Sequence, residues 1–148
     1  VIISKALALL GNALKQKKIE LKVEHLGATG YRTFEHELEQ VIINLLKNAL
    51  DAFEERGVND GRIWIQSDET DDDAIITVED NALGIDQKVM NTLFLPYVST
   101  KDALQGTGLG LYMSKTIVEE HCHGSISVVN TNNGAKFTIT IPLRQNNA

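Results

Sequence analysis

Three separated stretches of this 148-residue chain carry residue types at spacings that could do chemistry. The first holds Gln40, Asn44, Lys47, Asn48 and Asp51, which on a helix fall within an arc of roughly 100°. A solvated helix face usually fills with Glu, Lys and Gln. Asn and Asp are poorer helix formers, because their short side chains compete for backbone hydrogen bonds. Two Asn one turn apart with an Asp below them suit holding a ligand better than propping up a helix. The second stretch is Asp80-Asn81-Ala82-Leu83-Gly84-Ile85, an acid and a glycine at a strand exit. The third is Gly106-Thr107-Gly108-Leu109-Gly110-Leu111, a glycine-rich turn entering a helix. There the backbone can approach a phosphate, and the unsatisfied N–H groups of the helix start favour an anion. A P-loop requires Lys-Ser/Thr after its last glycine, and here Leu111-Tyr112 follow. A dinucleotide fingerprint requires G-x-G-x-x-G directly after a strand, whereas this run is G-x-G-x-G behind a long loop.

The elements that must position these residues are legible from periodicity. Leu38, Val41, Ile42, Leu45, Leu46, Ala49 and Phe53 recur at three- and four-residue spacing, which predicts one amphipathic helix over 34–56, ended by Gly57. Alternation at Ile19, Leu21 and Val23 predicts a half-buried strand, with a possible short strand over 31–33. Strands over 62–67 and 74–79 flank an acidic loop over 68–73, read as a solvated turn. A short helix follows over 86–93, then a long aperiodic segment over 94–108 of the kind that serves as a lid. A helix over 109–121 is broken by Gly124, and strands over 125–129 and 136–141 enclose the Asn132-Asn133-Gly134 turn. Residues 1–17 read as a lead-in helix and 145–148 as a polar tail. The alternation predicts an α/β fold, a two-layer sandwich with one mixed sheet covered by helices on one face.

Composition sets the outer bounds. The length fits a single domain, and a hydrophobic fraction of 43% is that of an ordinary globular protein. A formal charge of −6 without a basic stripe argues against nucleic acid and anionic membrane as partners. No apolar run approaches the roughly 20 residues needed to span a bilayer, so no direct membrane insertion of this domain is expected. The single cysteine, Cys122, reads as a buried small residue and fits a reducing, cytoplasmic compartment. The chain opens at Val1 rather than Met and reads as a piece of something longer, so the parent protein can still be membrane-anchored.

Taken together, the order and spacing of these stretches resemble the GHKL ATP-binding superfamily with its Bergerat fold. Within it they resemble the catalytic domain of sensor histidine kinases of the nitrogen-regulator type. Residues 40–52 are similar to the N box, 80–85 to the G1 box and Phe94-Leu95-Pro96-Tyr97 to the F box, followed by Ser99-Thr100-Lys101. Gly106-Thr107-Gly108-Leu109-Gly110-Leu111 matches the G2 box residue for residue. The resemblance covers roughly residues 19–143 and implies roles. Asn48 would hold Mg²⁺ through its amide oxygen, with Asp51 lining the site. Asp80 would accept from the adenine amino group, and Ala82, Gly84 and Ile85 would border the base. Phe94, Thr100 and Lys101 belong to the lid, with Lys101 neutralising γ-phosphate charge; Lys47 reads as solvated. Gly106, Thr107, Gly108, Leu109 and Gly110 would hold phosphate oxygens of ATP.

Asn44 is informative for what it lacks. Hydrolytic members of the superfamily carry a Glu one turn before the metal-binding Asn, as general base for water. An amide cannot take up that proton. The resemblance therefore implies a phosphoryl donor, with ATP and Mg²⁺ in the site and a histidine on a separate dimerisation domain as acceptor. A response-regulator receiver domain would stand next in the relay. His36-Glu37-Leu38 imitates the start of an acceptor box but continues Glu39-Gln40, so the phospho-acceptor domain is expected to be absent. One departure is Ala82, where the G1 box usually has Gly. A positive φ there would cost on the order of 1 kcal/mol, or the methyl would crowd the adenine edge. That departure and the absent acceptor motivate the alternative of a catalytically weak nucleotide-responsive interaction module; a GHKL ATPase is the remaining alternative.

Overall fold

The computed structural model describes residues 19–26, 35–86, 90, 94 and 110–142. Its elements run β1 (Glu20–Leu26), α1 (Glu35–Arg56), β2 (Arg62–Glu69), β3 (Asp73–Asp80), α2 (Gly110–Thr116), a π-helical turn (Ile117–His121), β4 (Ser125–Asn130) and β5 (Ala135–Pro142). The five strands form one sheet in the order β1-β2-β3-β5-β4. Only β1 and β2 pair in parallel, and the remaining pairs are antiparallel. A parallel pair needs a long crossover, and α1 lies in it. The mixed sheet and the helical layer match the expected α/β sandwich.

The apolar stripe of α1 is buried throughout: Leu38, Val41, Ile42, Leu45, Leu46, Ala49 and Phe53 are at most 3% exposed. Ile43 and Leu50 are buried as well, because α1 touches β3 as well as α2 and the π-helical turn. Its apolar arc therefore spans roughly 200°, wider than that of a helix lying on one surface. Each such side chain contributes about 1.5–3 kcal/mol on burial. Gly57 closes the helix at φ 65°, with Val58 N–H donating to Phe53 O at 3.0 Å.

Strand alternation supplies the other half of the core. Ile63 and Ile65 of β2, Ala74, Ile76 and Val78 of β3, and Ala135, Phe137, Ile139 and Ile141 of β5 are buried. Registers Ile65–Val78, Val78–Phe137 and Ile76–Ile139 bring them together. The opposite face is more polar and carries Arg62, whose guanidinium carbon lies 5.8 Å from the Trp64 ring centroid. The period of two also places Asp80 on the inward face, at the last position of β3.

Three details differ from the sequence expectation. β2 and β3 take up Asp68, Glu69 and Asp73, so the acidic loop shrinks to residues 70–72, closed by Thr70 N–H to Asp73 O at 2.8 Å. The second long helix changes to π-helical hydrogen bonding from Ile117, where Cys122 N–H reaches Ile117 O at 3.0 Å. Its end is made by His123 at φ 59° rather than by Gly124. Gly124 is needed for a different reason, since a Cβ there would overlap the Thr140 carbonyl oxygen of β5. Met90 N–H donates to Asp86 O at 2.9 Å, and the rest of the short helix expected over 86–93 lies outside the described residues. The lead-in helix, the strand over 31–33, the lid apart from Phe94, and the polar tail lie outside the described residues.

Two glycines separate conformational strain from close approach. Around Gly57 an added Cβ meets nothing within 4 Å, so Gly57→Ala should cost only left-handed strain, about 1 kcal/mol. At Gly134 a Cβ would overlap the Asp80 carbonyl oxygen and come within 2.8 Å of Asn81 Cα. Gly134→Ala should therefore cost about 3 kcal/mol or more. Denaturant midpoints at constant slope would measure both; equal losses would refute the distinction.

Candidate functional site

The polar stripe of α1 is set at the rim of the core. Gln40 and Lys47 are exposed, whereas Asn44, Asn48 and Asp51 are half-buried. Gln40 Nε2 donates to Asn44 Oδ1 at 3.2 Å, and Asn44 Nδ2 donates to Ser114 Oγ at 3.2 Å. Ser114 is fully buried on α2, four residues after Gly110. Asn44 thus joins α1 to the helix that leads out of the glycine-rich turn. Sequence reasoning saw the missing carboxylate at Asn44 but missed Ser114, whose only signal was a small polar residue on a helix among apolar neighbours.

Twelve residues further along α1, Arg56 reaches the second stretch. Its Nη1 donates to Ala82 O at 3.3 Å. Asp80 is 9% exposed, and Ala82 N–H donates to its Oδ1 at 3.0 Å. Burial pushes the Asp80 carboxyl above the usual carboxylate range; the backbone N–H groups of Ala82 and Ala135 pull against it, Glu79 raises it further and Arg56 lowers it. The outcome is an acceptor held in a dry setting by backbone donors. Asn81 faces the other way: its Oδ1 accepts from Arg62 N–H at 2.7 Å and its Nδ2 donates to Asp60 O at 2.9 Å. It fastens the strand exit and is not free to bind.

The backbone strain weighed for Ala82 is not realised. The positive φ angles fall on Leu83 (73°) and Gly84 (83°), and Ala82 is 2% exposed within the hydrophobic core cluster. Its methyl occupies the core while its N–H serves Asp80. The feature sequence reasoning overlooked is Leu83, a non-glycine residue in the left-handed region.

The β4–β5 hairpin holds this loop. Leu83 N–H donates to Asn133 O at 2.8 Å. Asn130 accepts from Ile85 N–H at 2.8 Å and donates to Ile85 O at 2.9 Å. Gly134 allows the hairpin tip to lie directly on the backbone of Asp80 and Asn81. Asn132-Asn133-Gly134 was legible as a turn, but its long-range partner was not.

Phe94 stands half-buried against Phe137, ring centroids 6.3 Å apart and edge-on at 88°. The Lys115 ammonium lies 5.8 Å from its centroid on α2. Gly110 is the first residue of α2. Thr100, Lys101, Gly106, Thr107, Gly108 and Leu109 lie outside the described residues. Among the described residues no group of three His, Cys, Asp or Glu side chains could hold a metal ion by itself. The residues present fit Mg²⁺ only as an ion held largely by a phosphate ligand and water, with a single amide oxygen such as that of Asn48 added. Neither His36, His121 nor His123 is buried, and Cys122 is an inert core thiol, pushed up to about 12 by burial and then by Glu37. Among the described residues no helix is long and apolar enough to cross a membrane.

Comparison with known proteins agrees with this geometry. The model of the histidine kinase-, DNA gyrase B- and HSP90-like ATPase family matches residues 33–145. A C4-dicarboxylate transport sensor protein of Rhizobium meliloti is 37% identical over 84% of this chain and 19% of its own length. The signal transduction histidine-protein kinase AtoS of Escherichia coli is 38% identical over 72% of this chain and 17% of its length. The chain thus spans about a fifth of the curated relatives it matches. Among solved structures, the catalytic domain of histidine kinase ThkA superposes with a TM-score of 0.77 at 26% identity, covering 95% of this chain and 91% of that one. ThkA in complex with the response regulator protein TrrA gives 0.71 at 26% identity, covering 95% of this chain and 39% of that chain. With a buried acceptor at a strand exit, an Asn-bearing helix and a matching family model, the chain belongs to the histidine kinase-, DNA gyrase B- and HSP90-like ATPase family, and its likeness there is to sensor histidine kinase catalytic domains.

Proposed function

We propose that this domain binds Mg·ATP and transfers the γ-phosphoryl group to a histidine on a separate dimerisation domain of its parent protein. From there a response-regulator aspartate takes the group. The observation that carries this is Asn44, which has no proton-accepting carboxylate and is engaged with Ser114. A water nucleophile needs a base at this point, whereas a neutral imidazole attacks with its own lone pair. The imidazole nitrogen bonds to the γ-phosphorus, the bond to the β,γ-bridging oxygen breaks, and ADP leaves with that electron pair. The imidazole's other ring proton goes to solvent.

Each residue then has a physical task. Asp80 accepts from the adenine amino group; a buried carboxylate at its exit selects a base that donates there. Gly84 and Ile85 border the base. Asn48 would supply one oxygen to Mg²⁺, which when bound neutralises charge on the phosphates, and Asp51 would border the same space. Gly106, Thr107, Gly108, Leu109 and Gly110 would cradle phosphate oxygens at the start of α2. Thr100 and Lys101 would approach the γ-phosphate, with Phe94 anchoring the start of their segment on Phe137. Asn44 and Arg56 mark points about 18 Å apart along α1, a span suited to a whole nucleoside triphosphate rather than a base alone. The weak-module alternative loses one of its two motives, since Ala82 carries no left-handed strain.

The deciding experiment is trans-phosphorylation of the parent's dimerisation domain, with Mg²⁺-dependent ATP binding measured by calorimetry. Labelling that survives Asn48→Ala at the wild-type rate would overturn the metal assignment, and no ATP binding would overturn the reading.

Asn44→Glu keeps a partner for Ser114, whose hydroxyl can donate to the new carboxylate. It should raise ATP hydrolysis by the isolated domain about a hundredfold, the usual scale of a well-placed base. Asn44→Ala should leave hydrolysis at background.

Asp80→Asn should weaken ATP binding by about 10- to 100-fold, the worth of a hydrogen bond to a charged acceptor. Its stability profile should differ in the opposite sense. Between the ordinary carboxylate pKa and the raised one, the folded chain binds a proton that the unfolded chain does not. The wild type should therefore gain stability as pH falls through that window, and Asp80→Asn should lose that slope. Parallel denaturation profiles for the two proteins would be the contrary result.

A further inference from the structure

We propose that Asn130 is a positioning residue for nucleobase recognition: its side-chain amide pins Ile85 so that the backbone of residues 83–85 keeps a fixed relation to the Asp80 carboxylate. The inference rests on the nucleotide reading above and goes beyond it to a residue outside the family's motifs.

Asn130 is the last residue of β4, and its amide makes both bonds to one backbone residue, accepting from Ile85 N–H at 2.8 Å and donating to Ile85 O at 2.9 Å. A side chain thereby imitates the pairing of a further strand. Leu83 N–H to Asn133 O at 2.8 Å adds a third bond from the same hairpin. The tip is itself braced, with Thr131 N–H to Gly134 O at 2.8 Å and Gly134 N–H to Thr131 Oγ1 at 3.1 Å. At its other end Ala135 N–H serves Asp80. One rigid hairpin therefore grips both the acceptor and the loop beside it.

The loop needs that grip. Leu83 sits at φ 73° while 63% exposed, so burial does not hold it in the left-handed region. Strained residues persist only where surrounding bonds over-determine them. Gly84 is hemmed in by the same side chain, since a Cβ there would lie 3.1 Å from Asn130 Oδ1. A fixed loop confines the base against Asp80, where an amino group donates and a carbonyl is repelled. A loosened loop lets a mismatched base move aside, so the penalty on it shrinks.

The test is calorimetry with Mg²⁺ on the whole chain, comparing ATP with inosine triphosphate, which places a carbonyl where adenine has its amino group. Weak binding is read by competition. Asn130→Ala should weaken ATP about tenfold and narrow the preference for ATP over inosine triphosphate at least about threefold, the scale of one or two lost exposed hydrogen bonds. Asn130→Asp keeps the acceptor for Ile85 N–H but sets a carboxylate against Ile85 O, and should fall between. Ile126→Val, a cavity in the core side of β4, controls for lost stability and should leave the preference unchanged. Amide exchange at Leu83 and Ile85 should speed up in Asn130→Ala alone. An unchanged preference in Asn130→Ala, or an equal narrowing in Ile126→Val, overturns the inference while the nucleotide reading stands. Wild-type chain that binds neither nucleotide overturns both.

Discussion

The structure depends on keeping a carboxylate at the inner edge of its core. Asp80 occupies an inward position of β3 that the strand's alternation would otherwise fill with an apolar side chain. Removing an ion from water is costly unless hydrogen bonds replace the water. Here the replacements are backbone N–H groups of Ala82 and Ala135, one from the loop that follows and one from the neighbouring strand. The second cannot be supplied without β5 in register beside β3, and that register brings Gly134 against the Asp80 carbonyl. The sheet order, the hairpin glycine and the turn over 80–84 are thus parts of one arrangement.

Helix α1 serves core and site at once, which explains its unusual cross-section. Its buried arc is wide because it is wedged between the sheet and the second helical segment, leaving a narrow polar stripe at the rim. Asn44 and Arg56 tie the two ends of that stripe to α2 and to the loop after β3. A rigid α-helix transmits any tilt at one tie to the other. The separation of the two ties is therefore defined by packing.

Much of this was legible because it is periodic. The seven apolar positions of α1, the alternation in β2, β3 and β5, and Gly57 as a helix end all follow from local rules, and each is found in the fold. The carboxylate of Asp80 could be singled out only through the order and spacing of the three stretches together, since an acid and a glycine at a strand exit are by themselves a common turn. What escaped was long-range. Ser114 has nothing distinctive until α1 lies beside it, and Asn130 is an ordinary strand-end residue until residue 85 is known to be its partner. The strain weighed for Ala82 does not arise because the left-handed turn starts one residue later, and a motif's spacing alone does not say which of its residues carries the positive φ. Gly124 shows the same ambiguity: a glycine required by proximity looks, in sequence, like one required by backbone angle.

The proposed chemistry makes Asn44 the most consequential of these long-range details. Position 44 lies one turn from Asn48, so any carboxylate there would stand beside the reacting phosphate and convert bound ATP to waste. An apolar residue would also avoid hydrolysis, but it would leave the buried Ser114 hydroxyl without the amide that reaches it. Asn meets both requirements, since it is no base and still donates across to α2. The same substitution that withholds a general base thus holds together the two helices between which the triphosphate would lie. A Glu could keep the tie to Ser114 and an apolar residue could withhold the base, but on the proposed chemistry the amide is what does both at once.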